Sequence, residues 1–486
     1  MEETVSLKEK TFSNLVWRLF ERCGAQFVAF LVSIILARLL SPEQFGIIAL
    51  VTIVTSILEV FVDSGLGNAL IQRKNAGDLE FSTVFFANFL FCIVLYAILF
   101  FIAPFIAAFY KDKTLKSVIR MLGVTLIVSG LKNVQQAYVS KNLLFRKFFF
   151  ATLTGTIFAA CVGIFLAYSG FGVWALVAQQ LVNIFIDTCV LWVIVPWRPK
   201  KMFSFSVFKE LFSYGWKILL ASLINRIYLD VRQLIIGRVY TPSDLAFYNQ
   251  GEKFPRFISS NIDSSVDSVL FPVLAKSQED VLAIKSMTRR AIKISSYIML
   301  PLLLGLAATS KNVVKLILTD KWLPCVPYFI LGCISFALQP VTSANLNAIK
   351  AVGRSDIFLK LEIIKKTLST AIVLITMPFG VFAIAIGSAI YSIIAAFINS
   401  FPTYKLLRYS FIEQFLDIFP QIIVSTLMSI CVYILPLEGL AIALQLLIQI
   451  TIGGAFYIVV TAVFKFESFI YIKQSVYSFC KRKMNK

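Results

Sequence analysis

Ala37-Arg38-Leu39-Leu40-Ser41-Pro42-Glu43-Gln44-Phe45-Gly46 returns 200 residues later as Gly237-Arg238-Val239-Tyr240-Thr241-Pro242-Ser243-Asp244-Leu245-Ala246. The arginine, the hydroxyl and the proline keep their places in both copies. At the same offset Phe12-Ser13 aligns with Phe212-Ser213, and Asp63-Ser64 with Asp263-Ser264. A third anchor, Phe171-Gly172-Val173-Trp174-Ala175-Leu176, matches Phe379-Gly380-Val381-Phe382-Ala383-Ile384 at an offset of 208, so the second copy is longer by about eight residues. Shared apolar composition alone would not align prolines and charges. The chain therefore reads as an internal duplication. In a very hydrophobic sequence, two homologous halves are the plan on which alternating-access transporters are built.

Composition supports a membrane protein. Mean hydropathy is +0.83 and 58% of residues are hydrophobic, which excludes an ordinary soluble domain of this length. Fourteen apolar spans are expected, near 11–40, 45–70, 81–110, 115–141, 147–168, 172–195, 210–240, 245–274, 281–308, 323–350, 357–378, 381–402, 415–435 and 440–464. Each is about as long as a bilayer-crossing helix must be. The first is too long for a signal-peptide core and lacks a small-residue cleavage site, so it is expected to be retained.

The net charge of +20 follows topology rather than nucleic acid. With both termini cytoplasmic, the inner tails, loops and adjoining helix ends hold 29 of the 46 Lys and Arg, and the outer ones hold 8. That asymmetry is the positive-inside rule and sets the expected orientation. Trp17, Trp197 and Trp216 then fall at the inner interface, with Trp174 and Trp322 at the outer one, as an aromatic belt. The chain has no histidine, so the commonest proton relay and metal ligand is missing. Its 8 cysteines are scattered without a CxxC pair and read as small hydrophobes. No Walker-type phosphate loop occurs, and no metal, cofactor or nucleic-acid partner is expected.

The expected fold is thus an all-α integral membrane protein of about 14 transmembrane helices: two pseudo-symmetric six-helix lobes plus two C-terminal helices. Residues 1–195 form the N-lobe, 196–209 a basic, proline-broken cytoplasmic linker, and 210–402 the C-lobe. Residues 403–486 hold the last helix pair, the first interrupted by Pro420, and a basic tail. Six spans per half is an even number, so the repeats are expected to run parallel about an axis along the membrane normal. Ser41-Pro42 with Gln44, and Thr241-Pro242 with Asp244, read as helix caps rather than as chemistry.

Chemistry is sought among charges placed inside spans, where each asks for a partner or a water-filled space. Thr52, Ser56, Glu59 and Asp63 follow one helical stripe, and Glu252, Arg256, Ser259 and Asp263, extended by Asp267, occupy the second copy's equivalent helix. Facing one another, these stripes would line a hydrated cavity between lobes. Span 1 adds Arg18, Glu21 and Arg22; span 7 adds Arg226, Asp230 and Arg232; span 8 adds Lys253. Arg226 and Asp230, four apart, are placed to pair, whereas Arg232 lies on another face. Arg18, Arg120 and Lys132 are positioned to snorkel. A cationic cavity of Arg18, Arg22, Arg226, Arg232, Lys253 and Arg256 suits an anionic, phosphate-bearing substrate, since guanidinium holds phosphate with two parallel hydrogen bonds. Glu59, Asp63, Asp230 and Asp263 are the candidates for binding a coupling ion.

These residues resemble a known group. Ala37 to Gly46, Asp63-Ser64-Gly65-Leu66 and Phe171 to Leu176 are similar to the polysaccharide-transporter family of the multidrug/oligosaccharidyl-lipid/polysaccharide exporter superfamily, and within it to Wzx-type lipopolysaccharide and exopolysaccharide flippases. The resemblance covers nearly the whole chain. It implies a bacterial inner-membrane flippase of undecaprenyl-diphosphate-linked oligosaccharide, working by alternating access. It also implies membrane lipid and other polysaccharide-assembly proteins as partners, and cationic cavity residues matched by position to Arg18, Arg22, Lys253 and Arg256. The alternatives are a cation-coupled multidrug-type exporter, which favours a more acidic or aromatic cavity, and a membrane enzyme of lipid-linked glycan assembly. The short outer loops leave such an enzyme little room for a catalytic site.

Overall fold

The structure is a computed structural model that describes residues 24–474 except 25, 64, 74–75, 143, 278–279 and 438. Among the described residues every regular element is helical. In order these are α1 (Gln26–Leu39), α2 (Pro42–Asp63), α3 (Leu66–Gln72), α4 (Asp78–Phe109), α5 (Thr114–Lys141), α6 (Phe145–Tyr168), α7 (Val173–Ile194), α8 (Phe205–Val239) and α9 (Pro242–Lys276). They continue with α10 (Val281–Ala308), α11 (Ser310–Ile317), α12 (Val326–Ala337), α13 (Gln339–Ala351), α14 (Ser355–Thr376), α15 (Val381–Leu407), α16 (Phe411–Ile434) and α17 (Ile442–Val463). Ten stretches among them are long and apolar enough to cross a membrane, α2 with α3 and α12 with α13 counting once each. Helices stand at the four other expected positions, α1, α8, α9 and α14. The 35-residue α8 and α9 fall short on hydropathy because they carry the charges singled out above.

The local reasons for these helices were readable. Ser41 Oγ accepts from Gln44 N at 3.4 Å while Gln44 Oε1 accepts from Ser41 N at 3.0 Å, the reciprocal box expected at the start of α2. Thr241 and Asp244 repeat it at the start of α9, at 3.1 and 3.2 Å. Pro420 does not interrupt its helix: α16 runs through it unbroken, as α4, α10 and α15 run through Pro104, Pro301 and Pro402. Inside a membrane protein neighbouring groups re-satisfy the freed carbonyl, so proline is tolerated there.

The chain divides into two compact units, the first ending at Ala246 and the second starting at Phe247. The sequence repeat divides it earlier, at the 196–209 linker. The difference is α8, which opens the second copy but packs on α2, α3 and α4. Gly65 makes that packing possible. Its backbone sits at φ 60°, and a Cβ there would lie 2.3 Å from the Gly215 carbonyl oxygen. Only glycine satisfies both demands.

In the first unit the linker is strapped down. Lys200 N donates to Ser82 Oγ at 3.0 Å and Ser204 N to Thr83 Oγ1 at 3.1 Å. Trp197 is buried among Phe81, Phe85 and Tyr138, its indole N–H donating to Asp78 Oδ1 at 3.2 Å. It is a core residue, not a member of an interfacial belt. Trp322 is likewise fully buried, edge-on to Phe247, whereas Trp174 and Trp216 keep large exposed faces. In the second unit α16 packs along α10, and α17 is tied in by Tyr297–Thr461 (3.0 Å) and by Asn312 donating to Gln445 and Gln449. The C-terminal pair is part of that unit's core rather than an appendage.

Candidate functional site

Two polar centres arise from the singled-out residues, one in each unit. In the first, α8 contributes Arg226 and Asp230, whose side chains meet at 2.7 Å one helical turn apart. Ser56 of α2 joins them: its Oγ accepts from Arg226 Nε at 3.1 Å and donates to Asp230 Oδ2 at 3.2 Å. Asp230 is buried and Arg226 partly open. The cation is thus fixed by a carboxylate and a hydroxyl while its side chain stays partly exposed. Thr52, one turn before Ser56, accepts from Gln180 at 3.4 Å. Arg232 lies on a different face, partly buried.

Glu59, on the same helix, borders a separate cavity of 230 Å³ with Ser129, Lys132 and Gln136. Lys132 Nζ bonds Asp187 Oδ2 at 3.0 Å. Lys132 therefore turns into the bundle and does not snorkel. A lysine with a carboxylate in reach gains more from pairing than from stretching its stem to water. Arg120 also departs from snorkelling: its Nε donates to the Phe100 carbonyl at 3.2 Å and its guanidinium stacks 3.8 Å from the Phe100 ring centre. Asp187 had not been singled out, although an intramembrane carboxylate asks for a cationic partner.

In the second unit α9 carries Tyr248, Glu252 and Arg256 at successive turns. Glu252 is buried and accepts from both the Tyr248 hydroxyl and the Arg256 guanidinium. Arg256 itself is 55% exposed, with its charge 5.9 Å from the Phe336 ring centre of α12. The expected stripe is consequently split. Glu252 is buried where α9 packs on Gly332 of α12, and Ser259 is buried further along, whereas Arg256 is exposed beside the Phe336 ring. Lys253 is partly buried on the neighbouring face. Asp263 lies near Asp267 and the Gln339 and Ser343 side chains of α13, and Asn347 donates to Asp267 at 2.5 Å. Arg18 and Arg22 lie outside the described residues, as does the side chain of Asp63. Among the described residues no three His, Cys, Asp or Glu converge as a metal site would require.

Two further charge clusters were not anticipated. Lys365, buried in α14, pairs with Glu362 at 2.6 Å. Asp417 of α16 receives two hydrogen bonds from Arg289, at 2.6 and 2.7 Å, one from Tyr409 at 2.8 Å, and Lys293 at 3.2 Å. Lys293 also reaches Glu467 at 2.7 Å, beyond the last span, and that pairing holds the Glu467 carboxyl below the usual carboxylate range. Charges across partner helices, here 128 residues apart, give no periodic signal in one sequence.

Two compact units, all-helical among the described residues, with paired arginines and carboxylates on long polar helices, have the architecture of a multi-pass membrane protein. The chain shares its fold with the lipid II flippase MurJ at a TM-score of 0.75, over 92% of this chain and 98% of that one, at 15% identity. The model of the family described as "Polysaccharide biosynthesis protein" matches residues 35–327, and the chain belongs to that family. A membrane protein in the cps region of Klebsiella pneumoniae is 25% identical over 93% of this chain and 95% of its own length. The lipopolysaccharide biosynthesis protein WzxC of Escherichia coli is 23% identical, covering 85% of this chain and 84% of its own.

Proposed function

We propose that the protein is a flippase that moves an undecaprenyl-diphosphate-linked oligosaccharide, a polysaccharide repeat unit, across the bacterial cytoplasmic membrane by ion-coupled alternating access. It acts as a transporter and not as an enzyme, with both termini cytoplasmic. One observation carries the reading: the family match spans residues 35–327 and so takes in both arginine-bearing helices, α8 and α9, whole. Arg226 and Arg256 are each held by a carboxylate one turn away, yet each side chain stays partly exposed. Such a cation can exchange its intramolecular partner for a diphosphate without ever standing bare in a low-dielectric site.

Arg232, Lys253, Arg18 and Arg22 extend the basic path in this reading. The hydrocarbon tail of the substrate stays in the bilayer, and Glu59, Asp63, Asp230 and Asp263 are the groups offered to a coupling ion. The test is complementation of a strain lacking its own repeat-unit flippase, with surface polysaccharide as readout. The chain should restore polymer, and Arg256→Ala should not, at unchanged protein abundance. Failure of the intact chain to restore polymer in a strain supplying its matching repeat unit, or export of cationic drugs in its place, would overturn the proposal.

A further inference from the structure

The linker and the first turns of α8 build a feature that the transport reading does not use. A cavity of 500 Å³ opens in the first unit between α4, which contributes Phe86, Leu90 and Val94, and α8, which contributes Phe205, Phe208 and Phe212. The three phenylalanines of α8 follow i, i+3, i+7 spacing and so share one face. The Phe208 and Phe212 rings stack with centroids 5.6 Å apart. The lining is almost wholly apolar, while Leu90 and Phe205 remain well exposed, so the cavity is an open groove and not a sealed core.

Its rim is basic. Lys201 lies two residues before the groove-lining Phe203, and Lys209 lies one turn along from Phe205. Both are exposed, and neither has a carboxylate partner among the described residues. Their neighbours are committed elsewhere: Lys200 to Asp78 at 2.5 Å, and Glu210 to Arg73 at 2.8 Å. The segment joins two spans, so these ammonium groups stand at a membrane–water boundary, where lysine favours anionic headgroups.

We infer that this groove binds one acyl chain of an anionic phospholipid, with Lys201 and Lys209 holding its phosphate. Charge at the rim selects the headgroup and the aromatic wall holds the chain. An open groove of 500 Å³ seats about one acyl chain's length of hydrocarbon, and single ammonium charges beside it suit a phosphodiester headgroup, so a bilayer phospholipid is the occupant this inference commits to. The inference does not rest on the transport reading, and its test measures no transport.

The full-length protein, purified in detergent, would be mixed with phosphatidylglycerol or phosphatidylcholine of identical chains, and retained lipid counted by native mass spectrometry. The intact protein should retain phosphatidylglycerol preferentially, by roughly fivefold for each contributing lysine. The double variant Lys201→Gln/Lys209→Gln should lose the preference while keeping a basal level of both lipids. Leu90→Trp, which fills an exposed part of the wall and leaves the rim intact, should lower retention of both. Equal retention of the two lipids by the intact protein, an unchanged preference in the lysine variant, or full retention by Leu90→Trp would each overturn the assignment.

Discussion

At the scale of single residues, the two arginines that pair along their own helices differ in what surrounds them. Asp230 is buried and shared by Arg226 and Ser56, so removing it strands a cation among helices α2 and α8. Asp230→Ala should destabilise the first unit by about 3 kcal/mol, the lower end for a broken buried pair because Arg226 is partly open. A thermal shift in detergent checks this, and an unchanged melting temperature would show that the pair does not hold the helices together. Arg256→Ala takes a cationic partner from the buried Glu252 carboxylate, so it should also lower the melting temperature, though less, because the arginine itself is 55% exposed. Surface polysaccharide should be lost at temperatures where the variant remains folded. Arg256→Lys should rescue only partly if two parallel hydrogen bonds to phosphate matter. The pairing of Arg226 with Asp230 was legible from their four-residue spacing. The part played by Ser56 was not, since it arrives from 170 residues away. The inward turn of Lys132 was hidden for the same reason: its partner, Asp187, lies 55 residues on, in another span.

At the scale of elements, the sequence located the helices well, because bilayer thickness fixes their length and the repeated S/T-P caps fix their starts. It located faces less well. The α9 stripe satisfies helical periodicity from Glu252 to Asp263, yet Glu252 and Ser259 are buried, Arg256 is exposed beside Phe336 of α12, and Asp263 lies against Gln339 and Ser343 of α13. Periodicity names residues on one side of a helix, but a side some 100° wide borders more than one neighbour. The contact between the α2–α3 turn and α8 shows how tightly such borders are set. Gly65→Ala should combine left-handed backbone strain of roughly 1–2 kcal/mol with a backbone clash against Gly215. Gly170→Ala carries comparable strain, at φ 79°, with nothing within 4 Å of the new methyl group. The first variant should therefore lose clearly more thermal stability than the second. Equal losses would mean that α8 yields easily and that its contact with α2 and α3 is soft.

At the scale of the whole molecule, duplication and compactness divide the chain at different places, and the reason lies in the linker. Residues 196–204 are not a free tether: Trp197, Lys200 and Ser204 are all bound to the first turns of α4, so α8 is delivered against the first unit's own helices. The duplication was legible because it lies in the order of residues, whereas the docking of α8 depends on distant contacts that no local pattern carries. Orientation remains a matter of charge. The 29-to-8 division of Lys and Arg predicts that the strapped linker faces the cytoplasm and that the loop between α4 and α5 faces outward. Two single-cysteine variants in a cysteine-free background separate the cases, one at the exposed Lys113 and one at the exposed Lys201. A membrane-impermeant maleimide added to intact cells should label position 113 and reach position 201 only after the membrane is opened. Both positions lie in short connections beside helix ends, so a difference in labelling reports the side of the membrane rather than burial in the fold. Labelling of position 201 in intact cells, with position 113 protected, would invert the topology. The phosphate-bearing end of a cytoplasmic lipid-linked substrate would then meet the wrong face, and the flippase reading would fail with it.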